Sequence, residues 1–311
     1  MSPRHASLAA LVATIWGFNF VVIEWGMHGV PPLLFVALRF TAVLVPAIFL
    51  VPRPQAPLRT VAAVGLFMSL GQFALLYTSM HLGMPPGLAA LVLQAQVLFT
   101  VIIAAGWLGE RPTRRQLSGI VVGAAGLVVV GIGRGGHIPL GALLLCVAGA
   151  LSWGIGNVVS RRAGIASGLS LAVWSSVVVP VPLFLLSLAL DGPSTVTHAL
   201  GHLGWHAVIS TGYTAGLASL VGYSIFNGLL ARYPASSVVP FILIAPPVAM
   251  LSAWALLDQV PNAAELVGGI VVLVGVLVTS WAGRPPGQST RSVPRHPETD
   301  RTRDYVTGRA G

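Results

Sequence analysis

The chain is 311 residues long, and only 8% of them are charged, against about a quarter in an ordinary soluble domain. Hydrophobic residues make up 55%, the mean hydropathy is +0.85, and the formal net charge of +9 comes from arginine with no lysine. Such a composition cannot clothe a soluble enzyme in polar surface, and it is too apolar for a disordered chain.

A bilayer-spanning helix needs about 20 mainly apolar residues. Apolar runs at 8–27, 33–51, 60–81, 87–108, 116–133, 140–160, 171–190, 207–229, 236–257 and 264–283 meet that length. Brief Pro- and Gly-rich breaks separate them, such as His28-Gly29-Val30-Pro31-Pro32 and Met84-Pro85-Pro86-Gly87. The fold class expected is therefore all-α and integral to the membrane, with ten transmembrane helices. A β-barrel would show alternating strands of about 10 residues instead. The first run is read as a retained span and not a signal peptide, because Glu24 and Trp25 stand near its end where small residues would mark cleavage. Cys146 is a lone cysteine in an apolar run, with no disulfide to make within the chain.

Arginine placement sets the expected orientation. With the N-terminus cytoplasmic, fifteen of the seventeen arginines fall on the inner side, leaving Arg134 outside and Arg39 within a span. A missed or extra helix would invert every later loop and destroy that bias. Both termini are thus expected in the cytoplasm. The last 28 residues hold six of the arginines and read as a disordered basic tail over 284–311, attracted weakly to anionic lipid and not to nucleic acid.

The halves echo each other. Leu11 to Asn19, with Trp16-Gly17, is answered by Gly149 to Asn157, with Trp153-Gly154. Trp107-Leu108-Gly109-Glu110 is answered by Leu256-Leu257-Asp258-Gln259, and Leu117 and Gly119 by Leu266 and Gly268, at an offset of 149. The expected units are 1–133 and 140–283, five spans each. Five is odd, so the second unit would sit upside down relative to the first, the inverted repeat by which many secondary transporters place a substrate site near the midplane.

Polar groups within the spans are the candidate site. Arg39 lies about six residues into the second span, where a charge costs roughly 2.5–3.5 kcal/mol if central. It would serve as a fixed cation for an anionic part of a substrate, or else snorkel to the outer interface or anchor loop carbonyls. Glu24 lies within roughly 5 Å of it in depth and is the candidate coupling group, as an ion pair that opens during transport or is broken by a proton. Asn19, Gln72, Gln94, Gln96, Asn157 and Asn227 are carboxamides in apolar surroundings, suited either to a zwitterionic ligand or to interhelical bonding. Gln94 and Gln96 are two apart, so at most one should face a cavity. Trp16 and Trp153 would shape it.

Other patterns carry less. Gly131 to Gly136 matches G-x-G-x-x-G, but it follows no strand and has no acid about twenty residues on. His198, His202 and His206 would align on one helical face, where they could hold a metal or sense pH, and otherwise form an ordinary outer loop. No Gly-rich loop ending in Lys-Ser/Thr is present to bind ATP.

Trp16-Gly17-Phe18-Asn19-Phe20-Val21-Val22-Ile23, Pro31-Pro32-Leu33-Leu34 leading to Leu38-Arg39-Phe40, and Gly83-Met84-Pro85 running through to Leu93-Gln94-Ala95-Gln96 carry a resemblance. With Gly109-Glu110-Arg111, Trp153, Asn157 and Pro246, they resemble the EamA branch of the drug/metabolite transporter superfamily, and within it the bacterial O-acetylserine/cysteine exporters. The resemblance covers about residues 5–283. It implies ten spans in two repeats, a central cavity, location in the inner membrane, and export of small metabolites by a gradient-driven transporter without catalysis, cofactor or metal. The chain departs from the pattern at Gln259-Val260, where the family commonly carries Glu-Arg, and Glu24 is outside it. The reading expected is export of cysteine- or O-acetylserine-like metabolites by a monomer or homodimer, with proton antiport as a candidate coupling. The alternatives are a broader drug or amino-acid transporter of the same fold, and an integral-membrane enzyme acting on lipid.

Overall fold

The computed structural model describes residues 1–133, 138–162 and 168–280. Residues 134–136 of the Gly131–Gly136 stretch, with Arg134 among them, and the tail over 284–311 lie outside the described residues. Ten helices are long and apolar enough to cross a membrane: α1 Pro3–Gly26, α2 Pro32–Leu50, α3 Leu58–His81, α4 Pro86–Trp107, α5 Arg114–Gly133, α6 Leu140–Arg162, α7 Leu169–Leu190, α8 Trp205–Arg232, α9 Val239–Leu257 and α10 Ala263–Ser280. No strand occurs among the described residues. A short helix, Pro193–Gly201, lies between α7 and α8 behind Gly192 at φ 87°, and a search for long apolar runs had no means of finding it.

Local chemistry explains the ends. Pro3, Pro32 and Pro86 sit in the first turns of α1, α2 and α4, where a missing N–H costs nothing. Two reciprocal capping boxes open the last helix of each half. Thr113 and Gln116 exchange bonds of 2.9 and 3.2 Å before α5, and Asn262 and Glu265 exchange bonds of 3.0 and 2.9 Å before α10. The preceding helices end at matching left-handed residues, Gly109 at φ 68° and Asp258 at φ 54°. Asp is among the few side chains that tolerate that conformation.

Irregular turns also recur. α3 is π-helical over Gly65–Gly71 and α8 over Tyr213–Val221; α4 tightens to a 3₁₀ turn at Leu93–Ala95 and α9 at Val239–Ile244. Such turns disturb the i→i−4 ladder, and in each π-helical stretch the first helix of the other half bonds to one of its carbonyls. The indole N–H of Trp16 donates to the Ala218 carbonyl at 2.8 Å, and the Ser152 hydroxyl donates to the Phe67 carbonyl at 2.7 Å.

Glycine lets the halves approach. A Cβ on Gly17 would strike the Ala245 carbonyl of α9, and one on Gly154 would meet Phe99 and the Gln96 carbonyl of α4. Along the α5–α10 seam, Gly119 lies against Gly275 and Thr279, while Gly126 lies against Gly268 and Val272. Rising numbers on α5 meet falling numbers on α10, so the two helices are antiparallel. The contact is reciprocal, since Gly119 corresponds to Gly268 and Gly126 to Gly275 in the repeated sequence. The Gly119-x-x-x-Gly123 pattern is thus spent inside the chain, Gly123 facing Leu98 and Gly275.

Candidate functional site

Arg39 is 4% exposed, enclosed between the halves. Its Nη1 donates to the Tyr77 hydroxyl of α3 at 2.8 Å, and its Nη2 donates to the Ser219 hydroxyl of α8 at 3.2 Å. The guanidinium carbon lies 4.4 Å from the centre of the Phe73 ring. It therefore neither snorkels to an interface nor anchors loop carbonyls. The Nε is buried and has no hydrogen-bond partner.

The surroundings come from two elements that the irregular turns shape. Tyr77 packs beside Phe35 and Phe73, with ring centres 5.8 and 6.1 Å away. Ser219 lies in the π-helical stretch of α8 and gives its own hydrogen to the Thr214 carbonyl at 2.7 Å. One residue earlier, Ala218 receives the Trp16 indole, whose ring rests against Tyr223 and Phe226 at 5.3 and 5.2 Å. Tyr213 donates to the Ile15 carbonyl at 3.0 Å, a second latch between α1 and the same stretch.

The remaining sequence candidates divide into engaged and unengaged groups. Asn157 on α6 donates to Gln96 Oε1 at 2.7 Å and to the Thr100 hydroxyl at 3.1 Å, so it and Gln96 join α4 to α6. Trp153 is half-buried against the main hydrophobic core. Gln72, directly after the π-helical part of α3, and Gln94, in the 3₁₀ turn of α4, are buried inside the bundle. Asn19 is buried with its Oδ1 unpartnered, and Asn227 has an unpartnered, buried Nδ2. Ser219 was not among the residues singled out from sequence. A serine in a span carries no signal of its own, and only the fold brings it to Arg39.

The Glu24–Arg39 pair is not formed in this conformation. Arg39 is bonded to hydroxyls, and the Glu24 Oε2 is buried without a partner. Among the described residues the ion pair is Arg161–Glu110, at 2.6 Å near the surface. Its counterpart position, Gln259, has an unpartnered Oε1, which matches the departure from the family pattern there. The histidines do not form one row. The helix carrying His198 ends at Gly201, His202 stacks on His198 at 4.3 Å, and His206 instead lies 3.6 Å from Trp205 and 6.2 Å from His28. No group of three or more metal-binding side chains occurs among the described residues.

Arg39, Asn19, Gln72 and Gln94 are all between 3% and 9% exposed, so each of these polar side chains is buried inside the bundle. The open recess nearby is an apolar groove of about 250 Å³ between α2 and α7, lined by Leu34, Leu38, Val181 and Phe184 among others. It faces outward and holds no charge.

The profile of the EamA-like transporter family matches twice, over residues 4–132 and 140–281. A probable amino-acid metabolite efflux pump of Escherichia coli strain K12 is 39% identical over 290 residues, covering 91% of this chain and 97% of the relative. A probable terminal-alkyne amino-acid exporter of Streptantibioticus cattleyicolor is 30% identical over 287 residues, covering 86% and 91%. An uncharacterized inner membrane transporter of Escherichia coli is 26% identical over 287 residues. One solved crystal structure has a TM-score of 0.59 at 20% identity, covering 87% of this chain and 94% of that one, and shares the fold.

Proposed function

Since the chain belongs to the EamA-like transporter family, we propose that it exports small amino-acid metabolites, of the cysteine and O-acetylserine kind, from the cytoplasm by alternating access. It is a multi-pass inner-membrane transporter of small molecules and not an enzyme. Two of the relatives above are named as a probable amino-acid metabolite efflux pump and a probable terminal-alkyne amino-acid exporter, which supports the cargo.

The observation that carries the mechanism is a buried Arg39 bonded from both halves. Arg39 and Tyr77 come from the first half and Ser219 from the second, so any motion of one half against the other remakes the contacts around the cation. The reciprocal, antiparallel α5–α10 seam supports an inverted repeat, the geometry in which rocking about a central site exposes it to each face in turn. Trp16, Asn19, Arg39, Gln72 and Gln94 are the cavity-lining groups in this reading, with Asn227 nearer the inner end of α8. Gln96, Trp153 and Asn157 hold α4 to α6 in the closed state and become available when that contact opens. Energy comes from an ion or substrate gradient, with Glu24 as the protonatable group. The terminal positions follow the arginine bias, both inside.

The test is counterflow in proteoliposomes. Vesicles loaded with L-cysteine or O-acetyl-L-serine should accumulate the labelled amino acid transiently, and empty vesicles should not. Exchange of cationic dyes with no exchange of amino acids would instead favour broad drug efflux on this scaffold.

A further inference from the structure

We propose that the Nε–Nη2 edge of Arg39 is the docking point for the carboxylate of the cargo, so that a free carboxylate is the feature by which the protein admits its substrates. The inference rests on the exporter reading and narrows it to a chemical class.

A guanidinium has five N–H donors in a planar fork and no acceptor. Here Nη1 is engaged by Tyr77 and Nη2 by Ser219, both neutral hydroxyls, while the buried Nε has nothing. No carboxylate among the described residues pairs with it. A cation enclosed at 4% exposure in an apolar bundle, with hydroxyls and phenyl rings around it but no anion, is an expensive arrangement, and such groups are otherwise found paired. The missing partner is an anion. Phe73 covers the guanidinium, and Tyr77 holds its Nη1 end, so the planar edge formed by Nε and Nη2 is the side left for a ligand. Two parallel N–H groups on that edge match the two oxygens of a carboxylate.

Ser219 makes the edge switchable. Its hydroxyl also bonds the Thr214 carbonyl within the π-helical stretch, so it keeps one partner when Nη2 turns to the cargo. One turn above Trp16 on α1, Asn19 has an unpartnered acceptor, Oδ1, of the kind an ammonium group would use.

The test compares ligands on the intact protein first. In liposomes that show counterflow of labelled L-cysteine, external O-acetyl-L-serine should compete well. Cysteamine, which lacks the carboxylate, and L-cysteine methyl ester, which masks it, should compete about tenfold or more weakly, the size of one lost charge-assisted bond. Arg39→Lys should keep the preference and weaken it, since the charge stays and the fork is lost. Arg39→Gln should abolish the difference between acid and ester. If the ester and the amine compete within twofold of L-cysteine on the wild-type protein, the carboxylate site is refuted while the exporter reading stands. Should the wild-type protein exchange no amino acid at all, the exporter reading fails and takes this site with it. The ligand ranking on the wild type decides the matter even if an Arg39 variant does not fold.

Discussion

Two asparagines in the echoed segments have different fates. The Asn157 amide donates to both Gln96 and Thr100, whereas Asn19 keeps a buried oxygen without a partner. The cause is a substitution between the halves: the repeat offset that carries Gln96 leads to Ala245, which has no polar side chain to offer. Sequence exposed the carboxamides but could not sort them into ligand and glue, because both roles use the same group. Asn157→Leu should destabilise the protein by about 1 kcal/mol, read from thermal unfolding in detergent, by stranding the Gln96 oxygen. Adding Gln96→Leu should recover part of that loss, since removing both partners leaves nothing unpaired. Glu24 is argued at the same scale. If it carries the coupling proton, Glu24→Gln should retain counterflow, and an imposed pH gradient should no longer accelerate efflux. Efflux that still responds to the gradient would remove Glu24 from coupling.

The helices owe their contacts to what they lack. Lipid offers no less apolar company than a neighbouring helix, so close association relies on small residues that bring backbones together. The α5–α10 seam uses Gly119, Gly126, Gly268 and Gly275, and a Cβ at Gly126 would press on backbone atoms of Gly268 and Val272 that cannot step aside. Gly126→Ala is expected to cost about 1–3 kcal/mol. Gly106→Ala on α4, where nothing lies within 4 Å, is expected to be neutral or to stabilise by up to about 1 kcal/mol. Thermal unfolding of the two variants side by side checks both. The spans themselves were legible from length and hydropathy alone. The π-helical and 3₁₀ turns were not, since no residue type demands them, and carbonyls of the π-helical stretches are bonded by Trp16 and Ser152 from the opposite half.

For the molecule as a whole, ten spans put the α2–α3 and α7–α8 connections on opposite faces of the bilayer, as the proposed inverted repeat requires. Gln55 and Leu203 are exposed in those connections, and the native Cys146 is fully buried. Gln55→Cys should react with an impermeant maleimide in inverted membrane vesicles and Leu203→Cys in intact spheroplasts, each without the other. Reaction of both from one side would overturn the topology. The double match to one family profile and the recurring caps, left-handed ends and irregular turns argue that both halves follow one plan.

Composition and hydropathy alone determined that this chain crosses the membrane ten times, because a bilayer imposes one length and one polarity on every span. The echoes between Trp16-Gly17 and Trp153-Gly154 were visible for the same reason, as local patterns written in consecutive residues. Which polar groups meet was decided only by the tertiary structure. Arg39 and Ser219 are 180 positions apart, and their contact depends on how two helix bundles cross and on a π-helical turn that rotates Ser219 inward. Charge inside a membrane announces that a partner must exist; packing alone selects it.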